Sequence, residues 1–282
     1  PDEGFYANAA LSMVDHLEPL LPRLNGEAFL DKPPLIYWTA AAGALIAGRS
    51  EWGLRLGHVA AFVLTCLLAG LAARRFAGTD ALPIGMLAYA TMTMPFLAAN
   101  VLTPDTPLAL ALALACYGLL RVETEVNRRD GLYGWLTAGL GFGLAILAKG
   151  PVALAFAAAV FLHRLISGRL LESLRDVRAW AGVALACALG GSWYLWLFIS
   201  VPGSASYVLD SQVLGRLASD HLARNPGFRG LVRVYLPAAL VGFLPWSIWA
   251  IRALLPSGEV FGERGTSRRK SVHLFLCLWP LV

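Results

Sequence analysis

One polar stretch organises the rest of this chain: Asn25-Gly26-Glu27-Ala28-Phe29-Leu30-Asp31-Lys32-Pro33-Pro34-Leu35-Ile36-Tyr37-Trp38. It places a carboxylate and an ammonium between apolar residues, fixes the following turn with two prolines and then leads into long apolar runs. A soluble core does not hold charges in such a setting, because removing an ion from water costs a large free energy. The stretch therefore predicts a polar platform at the mouth of a membrane domain.

The composition of the chain indicates lipid as its surroundings. Of its 282 residues, 57% are hydrophobic and 15% are charged, and the mean hydropathy is +0.62. Soluble domains have roughly 45–50% apolar and about 25% charged residues. Helices satisfy their own backbone hydrogen bonds in lipid. We therefore predict an all-α polytopic membrane protein with one domain over residues 1–282, divided into a platform at 1–52 and transmembrane helices over 53–282.

The charges and the cysteines argue against two other classes of protein. A net charge of +5 would suggest nucleic-acid binding in a soluble protein, but here the basic residues lie in short gaps between apolar runs, where they set orientation. We expect no nucleic-acid partner. The four cysteines are isolated within apolar runs, so the sequence predicts neither a disulfide framework nor a clustered metal site.

Apolar runs predict the transmembrane helices. They lie near 54–73, 81–99, 106–120, 132–148, 151–166, 179–199 and 231–251, with another that begins at 271. With the platform outside, the outer segments hold nine basic residues and the inner segments hold fourteen. The positive-inside rule therefore places the platform and a long loop near 200–230 on the extracytoplasmic side.

The platform begins with a predicted amphipathic helix that lies in the membrane interface. Apolar residues recur at helical intervals over 4–17, and Asp2 or Glu3 suits the helix start. Two prolines end this pattern, and the Asn-Gly pair at 25–26 predicts a turn. The apolar run at 35–47 is too short to be assigned as a span, so it lies in the interface or enters the membrane obliquely.

Three further polar features belong to the outer side, and each has an alternative explanation. Asp105 lies between two prolines, where it either caps the following helix or belongs to a site. Lys149 precedes a Gly-Pro pair, and it either extends to the lipid headgroups from a tight turn or binds a ligand. Asp31 and Lys32 form a surface ion pair worth about 0–1 kcal/mol, or they join the same site. The inner loops carry arginines without such a set, so we expect the active site outside.

In their order along the chain, these features resemble a family of membrane enzymes. The matching segments are Asp2-Glu3-Gly-Phe-Tyr6-Ala, Asn25-Gly26, Asp31-Lys32-Pro33-Pro34-Leu-Ile-Tyr37-Trp38, Asp105, Lys149-Gly150-Pro151 and Tyr235-Leu-Pro237 with Gly242-Phe-Leu-Pro245-Trp246. They resemble the polyprenyl-phosphate-sugar glycosyltransferases, the GT-C membrane enzymes that include the lipid A aminoarabinose transferases and the protein O-mannosyltransferases. The Asp-Lys-Pro-Pro segment is the most specific match, and the aminoarabinose-transferase branch is the more similar one.

The resemblance implies a reaction and a location. A sugar is transferred from the phosphate of a long isoprenoid, such as undecaprenyl phosphate in a bacterium, to a lipid, glycan or protein acceptor at the outer, periplasmic face of the inner membrane. The lipid-linked sugar is a substrate, so no cofactor and no catalytic metal are expected. Enzymes of this family have a helix before the Asp-Glu segment and more helices after the present ones. We therefore expect this sequence, which starts without Met and stops inside an apolar run, to be a catalytic half.

The resemblance also implies roles for individual residues. Asp2 is the first choice for the base that takes the acceptor proton, and Glu3 and Asp105 are alternates. The expected substrate-binding residues are Asp31, Lys32, Tyr37, Lys149 and Arg216. Lys32 and Lys149 suit the lipid phosphate because they are compact cations, and Arg216 suits it because its guanidinium can donate two hydrogen bonds to one phosphate. Asp31 either orients Lys32 or contacts the sugar or acceptor.

Two other functions are compatible with a polytopic protein. A secondary transporter is expected to carry charged or broken-helix sites near the bilayer midplane and often shows repeated halves, neither of which is seen in the sequence. A noncatalytic membrane scaffold has no need for acids and lysines gathered at the ends of separate spans on one face. The sequence therefore favours the glycosyltransferase.

Overall fold

Helices make up most of the described chain. The computed structural model describes residues 2–210 and 230–248. In chain order the elements are α1 (Asp2–His16), β1 (Arg23–Leu24), β2 (Glu27–Ala28), α2 (Leu35–Ala47), α3 (Glu51–Ala77), α4 (Ala81–Ala90), α5 (Thr93–Ala98), α6 (Asp105–Glu123), α7 (Arg128–Lys149), α8 (Pro151–Ile166), α9 (Leu170–Arg175), α10 (Val177–Ser200), α11 (Ser204–Tyr207), a π-helical turn (Leu231–Tyr235) and α12 (Leu236–Gly242).

Four helices are long and apolar enough to cross a bilayer. They are α3, α6, α7 and α10, with 27, 19, 22 and 24 residues. At about 1.5 Å per residue, the shortest reaches about 28 Å, close to the ~30 Å of a hydrocarbon core. The predicted spans near 54–73, 106–120, 132–148 and 179–199 are thereby confirmed as helices, and so is the all-α membrane fold class. The predicted span at 151–166 is also a helix, α8, but its length is only about 24 Å.

The predicted span at 81–99 is wrong as a single helix. The chain forms α4 and α5 instead and leaves the helical conformation at Met92, where ψ is 131°. Pro95 explains the break, because proline has no N–H for the preceding turn and its ring clashes with the carbonyl group four residues earlier. That carbonyl belongs to Thr91, whose hydroxyl donates to the carbonyl oxygen of Leu87 at 2.7 Å.

The predicted span at 231–251 is also interrupted in its described part. The π-helical turn passes into α12, which ends at Gly242, and residues 243–246 form a turn. Pro245 lies in this turn and lacks the N–H that would continue the helix. Residues 249–251 and the span expected from 271 lie outside the described residues.

The platform packs on the membrane helices through both apolar and polar contacts. Tyr6 and Met13 of α1 are buried with Ile36 of α2 in one hydrophobic cluster. The indole N–H of Trp193 in α10 donates to the carbonyl oxygen of Leu20 at 2.8 Å. The segment between α1 and α2 is thereby attached to the last long helix of the bundle.

The link between α1 and α2 is a hairpin with a two-residue turn. Leu24 pairs with Glu27, and Asn25 and Gly26 both have positive φ, at 54° and 86°. A type I′ turn requires positive φ at both central residues, and Asn-Gly is its preferred sequence. The predicted turn is therefore confirmed.

Small residues allow the long helices to approach one another closely. A Cβ added at Gly118 of α6 would collide with the backbone of Ala138 in α7, and one added at Gly139 of α7 would collide with the backbone of Gly182 in α10. Such interfaces are typical of membrane helices, because lipid tails are as apolar as leucine and association depends on close packing. The bundle is therefore sensitive to added volume at these glycines.

We predict that Gly118→Ala destabilises the protein and that Gly191→Ala does not. Both changes replace a helical glycine, so their effects on helix propensity match, but a Cβ at Gly191 meets no atom within 4 Å. Overpacking costs about 1–3 kcal/mol, so the melting temperature of the purified intact protein should fall by about 3–10 °C in Gly118→Ala. Equal melting temperatures for the two variants would contradict this account of the α6–α7 interface.

Candidate active site

Charged side chains of the predicted site gather where the platform meets the start of α6 and the end of α7. We call this group the aspartate–lysine cluster; its members are Asp2, Asp31, Lys32, Asp105 and Lys149. Three of the predicted site residues are not members of this cluster: Glu3, Tyr37 and Arg216.

Tyr6 of α1 lies among the carboxylates of the cluster. Its hydroxyl donates to Oδ2 of Asp31 at 3.2 Å. Burial raises the pKa of the Tyr6 phenol above its usual value, and the negative charge of Asp31 raises it further. The charges of Asp2 and Asp105 act on this pKa in the same direction. Tyr6 therefore remains protonated and serves as a hydrogen-bond donor.

Asp105 and Lys149 form an ion pair that joins two helices. Nζ of Lys149 lies 2.5 Å from Oδ1 of Asp105, and the two side chains are 26% and 56% exposed. Asp105 begins α6, but its side chain makes no capping hydrogen bond, and Pro104 occupies the N-cap position. The contacts therefore favour a site role for Asp105 over capping alone, and they show that Lys149 has a carboxylate partner.

The turn after Lys149 is as tight as the sequence predicts. α7 ends at Lys149 and α8 begins at Pro151, with Gly150 between them at φ +48°. A Cβ at Gly150 would lie 2.5 Å from the Tyr194 hydroxyl and 3.9 Å from Cγ of Pro33. The turn therefore lies beside the Asp-Lys-Pro-Pro segment and brings both lysines to one end of the bundle.

Lys32 is paired with its neighbour in the sequence. Its ammonium donates to Oδ2 of Asp31 at 2.7 Å and to the Asp31 carbonyl oxygen at 3.3 Å. The Lys32 side chain is 13% exposed, while that of Asp31 is 37% exposed. Because Tyr6 holds the same carboxylate oxygen, the orientation of Asp31 sets the position of the Lys32 ammonium.

Tyr37 lies beneath the cluster and is fully buried. Its ring packs edge-on against Tyr6 at a centroid distance of 6.1 Å and against Phe29 at 6.3 Å. Burial raises the pKa of its phenol, and the charge of Asp31 adds to this effect. Tyr37 therefore supports the floor of the cluster, and its direct contact with a substrate stays a prediction.

The two candidate bases of α1 lie in different surroundings. Asp2 is exposed, and its carboxylate forms no ion pair with any residue in 2–210 or 230–248. Glu3 instead accepts from Nε of Arg55 at 2.8 Å and from the N–H of Leu102 at 3.0 Å. The hydrogen bond from Arg55 lowers the pKa of the Glu3 carboxyl below its usual value. Geometry thus favours Asp2 over Glu3 as the proton acceptor.

Tyr6, Arg55 and His58 are not among the site residues predicted from the sequence. Arg55 lies within the first turns of an apolar run, where a charge is a signal for a partner. His58 is fully buried, and its Nε2 lies 2.8 Å from the carbonyl oxygen of Thr103.

The opposite end of the bundle also carries charges, and several of these are paired with one another. The pairs include Arg121 with Asp130 at 2.8 Å, Arg164 with Glu123 at 2.8 Å and Arg178 with Glu125 at 3.0 Å; Arg75 also contacts Asp130, and Arg169 also contacts Glu123. These pairs connect the ends of the long helices. Within 2–210 and 230–248, charged side chains therefore lie at the helix ends and leave the middle of the bundle apolar.

Two further expectations concern Arg216 and a metal ion. Arg216 and most of the loop near 200–230 lie outside the described residues. In the part of the chain that is described, no three His, Cys, Asp or Glu side chains are placed to hold a metal ion. The expectation that no metal or cofactor is required stays a prediction.

An apolar groove of about 550 Å³ opens beside the cluster. It lies between α2, α3, α6 and α7, and its lining runs from Leu35 and Pro107 to Leu64 and Leu144. Leu35 and Pro107 follow closely after the charged residues of the cluster in the sequence. A molecule with a charged head and a hydrocarbon chain therefore fits both parts of this surface.

Comparison with known proteins identifies the family. The family of dolichyl-phosphate-mannose-protein mannosyltransferases matches residues 31–203, more than half of the chain. The chain belongs to this family, whose members are glycosyltransferases. The predicted resemblance is therefore confirmed.

Individual relatives agree with this assignment. An uncharacterized protein of Aquifex aeolicus is 31% identical over 255 residues, covering 90% of this chain and 49% of that protein. The undecaprenyl phosphate-alpha-4-amino-4-deoxy-L-arabinose arabinosyl transferase 2 of Proteus mirabilis is 26% identical over 291 aligned positions, covering 100% of this chain and 49% of that protein. The chain spans about half the length of these relatives.

A solved structure shows the same fold. The crystal structure of ArnT from Cupriavidus metallidurans bound to undecaprenyl phosphate matches with a TM-score of 0.80 at 21% identity. The match covers 98% of this chain and 49% of that chain. The predicted GT-C-like membrane architecture is therefore confirmed.

We predict that the two charged ends lie on opposite sides of the membrane, with the hairpin outside. In a background that lacks the four native cysteines, Glu27→Cys should react with a membrane-impermeant maleimide in intact cells, because this residue is exposed on the hairpin. Arg129→Cys, exposed at the other end, should react only after the cells are permeabilised. Labelling of Arg129→Cys but not Glu27→Cys in intact cells would reverse the orientation and place the aspartate–lysine cluster inside.

Proposed function

We propose that this chain forms the donor site of a membrane glycosyltransferase that uses a polyprenyl-phosphate sugar. The donor is a sugar on undecaprenyl phosphate or a similar lipid, and the acceptor is a lipid, glycan or protein at the outer face of a bacterial inner membrane. One observation carries the proposal: two lysines, each paired with an aspartate, lie at the end of the bundle where the lining of an apolar groove begins, at Leu35 and Pro107. This arrangement suits the phosphate and the hydrocarbon chain of such a donor.

The lysines are suited to exchange one anion for another. Lys149 is paired with a carboxylate that is more than half exposed, and such pairs contribute only about 0–1 kcal/mol. A phosphate that enters the cluster therefore replaces the carboxylate at small cost and gains charge-assisted hydrogen bonds. Lys32 is proposed to bind the same phosphate, because the turn after Lys149 lies beside Pro33. Arg216, which lies outside the described residues, is proposed as a further phosphate ligand.

The proposed reaction is a substitution at the anomeric carbon of the sugar. The bond from this carbon to the phosphate oxygen breaks while a bond to the acceptor oxygen forms, through a transition state with oxocarbenium character. Asp2 takes the acceptor proton as the bond forms, and the lysines stabilise the charge that develops on the departing polyprenyl phosphate. No metal or cofactor takes part in this scheme.

The distribution of charge argues against the transporter alternative. A transporter site is expected near the bilayer midplane, often at broken helices. In residues 2–210 and 230–248, the charged groups lie at the helix ends instead, and α3, α6, α7 and α10 are continuous through their apolar parts. The described geometry therefore supports chemistry at one membrane face.

The proposed function is tested by following the donor. Cells that lack the intact protein should accumulate a lipid-linked sugar, which is extracted and identified by mass spectrometry. The purified intact protein should then consume this lipid and release free polyprenyl phosphate in the presence of the acceptor. Failure to consume any accumulated lipid-linked sugar would overturn the proposal.

We predict that Asp2→Asn in the intact protein lowers kcat by about 10²–10⁴-fold, because it keeps the size of the side chain but removes the base. The KM for the lipid-linked donor should change little, since this carboxylate is not among the cation partners of the cluster. Asp105→Asn should act mainly through donor binding. Near-normal turnover in Asp2→Asn together with a large loss in Asp105→Asn would transfer the role of base to Asp105.

We predict that Lys32→Ala and Lys149→Ala each raise the donor KM by about 10- to 100-fold, the range for losing a charged hydrogen bond. Arg75→Ala is the matched control, because it also removes a paired cation but at the opposite end of the bundle. Its donor KM should stay within about twofold of the wild-type value. Unchanged donor KM in both lysine variants would remove the phosphate-binding role from this cluster.

A further inference from the structure

The loop between α5 and α6 leads directly into Asp105, and side chains from distant elements hold its backbone. The N–H of Leu102 donates to Oε1 of Glu3 in α1 at 3.0 Å. One position later, the carbonyl oxygen of Thr103 accepts from Nε2 of His58 in α3 at 2.8 Å. Two consecutive residues of the loop are therefore fixed from outside it.

Both contacts of the loop lead back to α3, because His58 belongs to this helix and Glu3 is bound by its Arg55. Nε of Arg55 donates to the same oxygen of Glu3 that accepts from the loop, at 2.8 Å. Arg55 and His58 are three residues apart, so they lie on one face of α3. His58 is fully buried, and Leu102 is 1% exposed. The loop is thus attached to the first turns of α3 by contacts that are buried at His58 and partly exposed at Glu3 and Arg55.

The start of α6 depends on this loop. α6 has no side-chain capping bond, and Asp105 is its first residue. The Asp105 side chain is more than half exposed, so its surroundings do not confine it. The loop backbone therefore contributes to where the Asp105 carboxylate lies relative to the Lys149 ammonium.

We infer that Glu3, Arg55 and His58 are positioning residues that set the Asp105–Lys149 pair through the backbone of the α5–α6 loop. This assigns Glu3 a part other than that of an alternate base. The consequence, a correctly placed cation for the donor phosphate, rests on the proposed function. The geometry of the ion pair itself is testable without any substrate.

The test measures how fast individual lysines of the intact purified protein are acylated by sulfo-N-hydroxysuccinimide acetate, with peptide mass spectrometry as the readout. A lysine that loses its carboxylate partner is more often free to react, so Asp105→Asn should accelerate acylation of Lys149 by about two- to fivefold. His58→Leu should give the same acceleration, because it removes the donor to Thr103 while keeping the volume. Acylation of Lys32 should not change, since its partner Asp31 does not depend on the loop.

Three further variants separate positioning from a general loss of structure. His58→Gln retains an N–H group near the position of Nε2 and should restore the wild-type rate at Lys149. Glu3→Ala removes the acceptor for Leu102 at a side chain that is 32% exposed, so it tests the same loop if His58→Leu fails to fold. Arg75→Gln, at the far end of α3, is the control and should leave the rate unchanged.

A double-mutant cycle decides whether the effect passes through the pair. If His58 acts through Asp105, then His58→Leu adds nothing in an Asp105→Asn background. Wild-type rates at Lys149 in both His58→Leu and Glu3→Ala would overturn the inference, and so would independent, multiplicative effects in the double variant.

A kinetic measurement then tests the functional consequence. With the extracted donor, His58→Leu and Glu3→Ala should raise KM more than they lower kcat, whereas a fall in the amount of folded enzyme lowers only the apparent kcat. Unchanged donor KM despite faster acylation would overturn the link to donor binding. An intact wild-type protein that uses no lipid-linked sugar would overturn the proposed function instead, while the acylation rates would still decide the positioning role.

Discussion

A charge at the edge of the hydrocarbon needs a partner, and this structure depends on that constraint. The ion pair between Asp105 and Lys149 satisfies it. The pair connects the first residue of α6 to the last residue of α7, two helices that approach closely at glycines. Both partners remain partly exposed, so the pair contributes little to stability. The same exposure lets an incoming anion take the place of the carboxylate, which makes the pair suitable for a binding site.

The two ends of the bundle use ion pairs for different purposes. At the arginine-rich end, Glu123 is 1% exposed and is paired with Arg164 and Arg169. Breaking a buried pair of this kind costs about 3–5 kcal/mol, because it leaves an uncompensated charge. At the platform end, the carboxylates of the two pairs are 37% and 56% exposed, so another anion can take their place. The carboxylates Asp31 and Asp105 are thus more exposed than Glu123 and Asp130 at the arginine-rich end.

Features set by neighbouring residues were predictable from the sequence, and those set by distant residues were not. Local chemistry gives the Asn25-Gly26 turn and the tight turn at Gly150, and both are present. The hydropathy of residues 81–99 predicts one continuous span, whereas Pro95 is a local signal for a break, and the structure follows the proline. The contact of Glu3 with Arg55 joins residues 52 positions apart, and that of His58 with Thr103 joins residues 45 apart, so no spacing rule reveals them. Tyr37 belongs to the recognised motif, but only the packing of Tyr6 and Phe29 shows that it is buried.

The central claim is that the aspartate–lysine cluster recognises a phosphate on an isoprenoid chain. Binding of undecaprenyl phosphate and of undecaprenol, which lacks the phosphate, to the intact protein tests this claim most directly when both are measured by native mass spectrometry in the same lipid nanodiscs. The account predicts that the wild-type protein prefers the phosphate by about tenfold or more, equivalent to about 1.4 kcal/mol, and that Lys149→Ala loses most of this preference. Equal binding of the two lipids by the wild-type protein would contradict it.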